Sequence, residues 1–356
     1  MKNRILAAIV LIACFLTSCK EKPAKYVFLF IGDGMGTSQV SLTESYLSYM
    51  DGRFGGTQLQ FTQFPYFGMC RTSSANSLIT DSAAAGTAIA TGYKTNNGYI
   101  GMDAEGNPIY SVSSVLKRDY GYQVGIFSSV PLNHATPAAF YGHTDDRRNT
   151  YMIASQIPES GFEFIGGSGI LDFYGSGDVP DCETFLENNG YDVVFGQSEF
   201  EESESNKIVM VSNPMTEHKG RVANYEAQED KLVTLPEMMK NCLKTLDENK
   251  PFFIMCEGGE IDWTSHADKI MPTIEAMLYM NEAVKLAYEF YLKHPKETLI
   301  IVTADHQTGG VSLGSKENGY EVNWQKIIEQ WNAAGQKDNF ETWEDRMEFN
   351  RANGIG

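Results

Sequence analysis

The chain has 356 residues, a formal charge of −18, and a composition 42% apolar and 21% charged. Those values fit a globular protein of one large α/β domain or two ordinary ones and exclude extended disorder. The acidity argues against nucleic acid as a partner, because phosphate backbones are bound by basic surfaces; any phosphate ligand must be met by local cations, from arginine or bound metal.

At the N-terminus, Lys2 and Arg4 precede an apolar run from Ile5 to Leu16. This is the layout of a signal peptide, with a run too short to span a bilayer. It ends in Leu16-Thr17-Ser18-Cys19, which resembles a bacterial lipobox, where the cysteine becomes the lipidated first residue. The expected organisation is a signal peptide over 1–18, a lipid tether over 19–25 and one folded domain over 26–356. The protein is then an exported lipoprotein, periplasmic or anchored to the outer membrane, that meets a membrane only through a lipid on Cys19. Cys70, Cys182, Cys242 and Cys256 remain; their spacing selects no pairing.

In chain order, Tyr26–Ile31 reads as a buried strand with Asp33 just beyond it, and Phe67–Arg71 as a second strand. Ala-rich Ser82–Thr91 reads as a helix, and Gln123–Ser128 as a strand followed by a helix near Thr136–Tyr141. The stretch 161–231, rich in Gly, Asn, Asp and Glu, reads as an inserted cap of mixed structure. Helical patterns over Leu235–Asn249, Pro272–Tyr291 and Trp324–Ala333 alternate with apolar strands Phe252–Cys256 and Leu299–Thr303. Continuous apolar strands alternating with helices predict an α/β fold whose mainly parallel central sheet carries helices on both faces. In such sheets ligands bind beyond the carboxyl ends of the strands.

Four of these apolar runs end in groups suited to metal or phosphate: Asp33, then His134 and Thr136, then Glu257, then Asp305 with His306. Asp33 lies in Gly32-Asp33-Gly34-Met35-Gly36, which lacks the spacing of a dinucleotide loop and suggests backbone folded tightly around a cation. Asp262 and His266 are four residues apart, so a helix puts carboxylate and imidazole on one face, a pairing that suits zinc. Ser82 opens the Ala-rich helix. Locally it reads best as an N-cap, yet a helix N-terminus also binds anions, and a metal beside the hydroxyl would make it a nucleophile.

The segments YVFLFIGDGMG, TDSAAAGTAIATG, NHATPAAFYGHTDDRR, EGGEIDWTSH and TADHQTGG resemble, in order, those of the alkaline phosphatases. The resemblance implies that Ser82 attacks phosphorus and becomes phosphoserine, and that Arg147, eleven residues after Thr136, grips phosphate oxygens, with Arg148 as the competing choice. It implies two zinc ions and one magnesium. Asp33, Asp305 and His306 would bind the zinc beside Ser82; Asp33, Thr136 and Glu257 the magnesium; Asp262 and His266 the second zinc. His134 and Trp263 would stand just behind the ligands. The implied substrates are small phosphate monoesters, and a homodimer is an expected assembly. The family's second zinc has a further histidine ligand downstream, whereas no histidine follows His306 and the chain ends at Gly356; the sequence therefore reads as short of its C-terminal end. His218 and His294 are weak substitutes.

Two other functions stay open at this level. One is phosphodiester or sulfate-ester hydrolysis on the same scaffold, although no Cys-x-Pro-x-Arg is present. The other is a lipoprotein that binds phosphate or metal without turnover.

Overall fold

The computed structural model of the protein describes residues 23–212, 233–314, 319–337 and 339–356. The signal-peptide segment, Cys19 and His218 lie outside the described residues. At the centre is a seven-stranded sheet in the order β4-β5-β3-β2-β6-β1-β7. Its strands are β1 Tyr26–Gly32, β2 Gln123–Ser128, β3 Phe164–Gly167, β4 Asp192–Phe195, β5 Ile208–Val211, β6 Phe252–Gly258 and β7 Thr298–Ala304. Every pairing is parallel, as the unbroken apolar runs predict.

A parallel sheet must be covered twice, and the β1 sequence shows both covers. Leu29 and Ile31 belong to one core with Ile126, Phe140 and Met255. Phe28 and Phe30 belong to the other with Ile254, Met277 and Met280. Full burial of one such side chain contributes roughly 2–3 kcal/mol. The helices α1 Thr37–Met50, α2 Ser82–Thr91, α3 Val112–Tyr120, α4 Leu235–Thr245, α5 Glu260–His266 and α6 Ile270–Lys293 supply most of the cover. Among the described residues none is long and apolar enough to cross a membrane.

Two expectations meet a different structure. Phe67–Arg71 is not a strand: it finds no ladder, and Phe67 and Met69 lie exposed. Its β-like composition was real, but a strand needs a partner to satisfy its backbone. The stretch expected to be an inserted cap carries β3, β4 and β5 and builds one end of the central sheet. Its runs FIGG, DVVF and IVMV are four residues each, too short to stand out from the polar sequence between them. The four cysteines among the described residues are unpaired: Cys182, Cys242 and Cys256 are buried thiols and Cys70 is exposed.

Candidate active site

Strand register assembles the site. Gly32 pairs with both Ala304 and Gly258, so Asp33 and Asp305 leave neighbouring strands side by side, with Glu257 on the next strand over. Asp33 and Glu257 are fully buried, and Asp305 nearly so. The turn that turns the chain back here requires Gly34. Its φ is +68°, and a Cβ would sit 2.8 Å from Thr308 Oγ1 and 3.0 Å from Asp262 Cα. The Gly34 amide donates to Asp305 Oδ1 at 3.1 Å.

Ser82 is not the cap of its helix. Asp81 is: its carboxylate accepts from the Ala84 amide at 3.0 Å. Ser82 is thereby the first helical residue, and its hydroxyl points at Asp33 Oδ1 (3.4 Å) and His306 Nε2 (3.3 Å). Gly86 lets this helix press on the segment behind it, where a Cβ would come 3.2 Å from Thr136 Cα.

Asp81 does a second job that the sequence did not reveal. Its Oδ2 accepts from Arg147 Nη1 at 3.1 Å and from the Gly98 amide at 3.0 Å. The other end of the Arg147 guanidinium meets His134 Nε2 at 3.2 Å, and the His134 ring stands edge-on to Trp263 at 5.7 Å. Arg147 is therefore held beside the helix that Ser82 opens. Arg148 points to solvent and pairs with Asp146. A D-x-x-R sequence signal for the Asp81–Arg147 pair does not exist, because its partners are 66 residues apart.

Two sets of ligand atoms converge, each within 4.8 Å of one another: Asp33, Asp305 and His306; and Asp33, His134 and Glu257. Asp33 belongs to both. His134 thus stands among the ligand atoms rather than behind them, with the Thr136 hydroxyl also buried. Asp262 and His266 do share one face of α5, with Nε2 3.4 Å from Oδ1, but no third His, Cys, Asp or Glu closes on them among the described residues. A hydroxyl links the two regions: Thr308 Oγ1 donates to Asp262 Oδ1 at 2.5 Å and lies 3.2 Å from His306 Nδ1.

Electrostatics asks for cations. Burial, reinforced by neighbouring carboxylates, pushes the Asp33 carboxyl well above its usual range. Burial also raises Asp305 and pushes Glu257 up to about 8, against the pull of the Ser128 hydroxyl that donates to it. Asp33 Oδ2, Asp305 Oδ2, Glu257 Oε1 and Thr136 Oγ1 are buried without a hydrogen bond. Buried carboxylate oxygens left without a hydrogen bond are costly, and divalent ions are their natural complement. The donor set, oxygens with imidazole, fits zinc and magnesium.

A serine, an arginine and carboxylates grouped closely enough to share a metal ion thus meet at the carboxyl edge of a parallel sheet. The family model described as alkaline phosphatase matches residues 24–170 and 182–341, and the chain belongs to that family. It is 32% identical over 310 residues to alkaline phosphatase 4 of Bacillus subtilis, covering 84% of this chain and 64% of that protein. The solved alkaline phosphatase of the Antarctic bacterium TAB5 superimposes with a TM-score of 0.73 at 30% identity, covering 84% of each chain. A cold-active alkaline phosphatase from Shewanella shares the fold, with a TM-score of 0.77 over 93% of this chain and 89% of that one. The chain spans 57–64% of the length of the curated alkaline phosphatases of B. subtilis and Schizosaccharomyces pombe that it matches.

Proposed function

We propose that the chain hydrolyses phosphate monoesters to an alcohol and inorganic phosphate through a phosphoserine on Ser82. The observation that carries this reading is the Ser82 hydroxyl, freed from capping by Asp81 and aimed at Asp33 and His306. Asp33, Asp305 and His306 would hold one zinc; Asp33, Glu257, Thr136 and His134 a magnesium; Asp262 and His266 would contribute to a second zinc. A His-to-Glu variant of the TAB5 enzyme is described with magnesium bound, which supports magnesium as one of the metals such a site takes. When bound, the ions supply Lewis-acid stabilisation for the attacking and leaving oxygens.

The chain's own groups do the rest. Ser82 Oγ loses its proton and bonds to phosphorus as the ester oxygen departs with the electron pair of the broken P–O bond and takes up a proton to become the alcohol. The guanidinium of Arg147, kept in place by Asp81, presents parallel N–H donors to phosphate oxygens. The free amides at the start of α2 face the same charge, and their dipole favours it. Water then cleaves the phosphoserine and restores the hydroxyl. Nothing in these contacts grips the alcohol, so substrates that differ only in the alcohol should react alike.

Expected as part of the same reading are export and a lipid on Cys19. The test of activity is hydrolysis of p-nitrophenyl phosphate and of its diester, with zinc and magnesium, with chelator, and with Ser82→Ala. Metal-dependent cleavage of the monoester that Ser82→Ala abolishes supports the proposal. Preference for the diester, or binding of phosphate and metal without turnover, would replace it with one of the two other readings.

A further inference from the structure

The end of the sheet opposite the site carries a cleft of about 1000 Å³, lined largely by carbon, with Lys25, Ile89, Val112, Leu116, Tyr120 and Pro251 among its walls. Its position follows from the topology. Lys25 precedes β1, Pro251 precedes β6 and Tyr122, another wall, precedes β2. The cleft therefore lies at the amino ends of the strands, while Asp33 and Glu257 mark their carboxyl ends. Along the seven residues of β1 that separation is about 20 Å.

The rim is largely apolar and open to solvent, with the Arg118 guanidinium over the Tyr110 ring at 4.9 Å. Tyr110 is 62% exposed, Val112 40% and Tyr120 67%. Contiguous apolar surface of this kind marks an interaction face, and two tyrosines with aliphatic neighbours suit a boundary between water and hydrocarbon. Pro23 itself lines the cleft. The chain is pinned there, because the Tyr122 hydroxyl donates to the Ala24 carbonyl at 2.6 Å.

The chain length outside the described residues decides what meets this face. Cys19 is four residues before Pro23, so even fully extended chain puts it no more than about 14 Å from the cleft. Lys20, Lys22 and Lys25 surround that connection, and lysines near a lipid surface add attraction to its phosphates. We propose that this face, built on α3 and the strand starts, docks on the bilayer that holds the Cys19 lipid, so that the active site points away from the membrane. The proposal rests on the lipid-anchor reading above. A tether this short leaves the domain no freedom to stand off; either the apolar cleft lies against lipid or it stays exposed beside it.

The experiment uses the full chain made in a bacterium that exports lipoproteins, beside a released form that begins at Lys20 and carries no lipid. Intact mass reports whether Cys19 carries lipid. Each purified protein is placed with vesicles of phosphatidylethanolamine containing a minority of phosphatidylglycerol, and amide hydrogen exchange of the anchored form is compared with that of the released form. Docking predicts exchange about fivefold slower in α3 and at 120–122 on the anchored protein, with no change around Ser82 and Arg147. It also predicts that Val112→Glu with Tyr120→Glu removes the slowing while leaving the protein anchored and active. Equal exchange in anchored and released wild-type protein would overturn docking alone. Absence of lipid on Cys19 would instead remove the anchor, and with it the constraint that places this face on a membrane.

Discussion

Asp81 shows how much one side chain can settle. By capping α2 it frees Ser82, and by pairing with Arg147 it stations a guanidinium beside the helix that Ser82 opens. Asp81→Ala should therefore do two separable things. Loss of the cap should cost about 1 kcal/mol of stability, read as a lower melting temperature. Loss of the Arg147 partner should raise KM for a phosphate monoester more than it lowers the melting temperature predicts, whereas Asp81→Ser, which keeps a cap, should restore stability but not KM. Thr308 is the second such residue. Its proton goes to Asp262, so its oxygen can accept from His306 Nδ1–H, which leaves Nε2 as the lone pair facing Asp33 and Ser82. Groups that orient a metal-binding histidine in this way are worth about 10–100-fold in metal affinity. Zinc titration of Thr308→Val should show weakening of that order, with Thr308→Ser close to wild type; unchanged affinity in the valine variant would contradict the role. At this scale the sequence showed residue types at strand ends, and so Asp33, Glu257, Asp305 and His306 were legible. It did not show rotamers. The choice between Arg147 and Arg148, the identity of the cap and the inward position of His134 all depend on which way a side chain turns, and periodicity is silent on that.

At the scale of elements, the site is a product of register. Parallel pairing of β1 with β6 and β7 brings three acidic strand ends together, and the turn at Gly34 ties Asp305 to the end of β1 through the Gly34 amide. Gly34→Ala should be destabilising by about 2 kcal/mol or more, because it forces a side chain to positive φ and against Thr308 and Asp262. Denaturant unfolding checks this, and a variant with wild-type stability would mean the turn can relax. The long helices and the apolar strands of five or more residues were legible because their hydrophobic patterns are long. Trp324–Ala333 matches its expected bounds. The four-residue strands β3 to β5 were not, since a short apolar run gains its identity from the neighbour it pairs with. Phe67–Arg71 fails for the mirror-image reason: strand-like residues without a neighbour.

For the molecule as a whole, a net charge of −18 and a site of buried carboxyls set one problem for an anionic phosphate: local cations must offset both. Without metal, Glu257 titrates near about 8 in the folded protein, against about 4.3 in the unfolded chain. Between those values the folded state holds the extra proton, so stability is greatest on the acid side and falls as pH rises towards and through 8. Melting in chelator should show that decline, and zinc with magnesium should reverse it most strongly at the alkaline end, where the carboxyls are free to bind metal. A melting temperature that rises with pH in chelator would contradict this. The central claim, that Ser82 is a nucleophile rather than a structural serine, has a more direct test. Enzyme quenched in acid during turnover of a phosphate monoester should gain the mass of one phosphoryl group, located by fragmentation on Ser82 and absent from Ser82→Ala. Steady turnover with no phosphoryl group on Ser82, or undiminished turnover by Ser82→Ala, would contradict it.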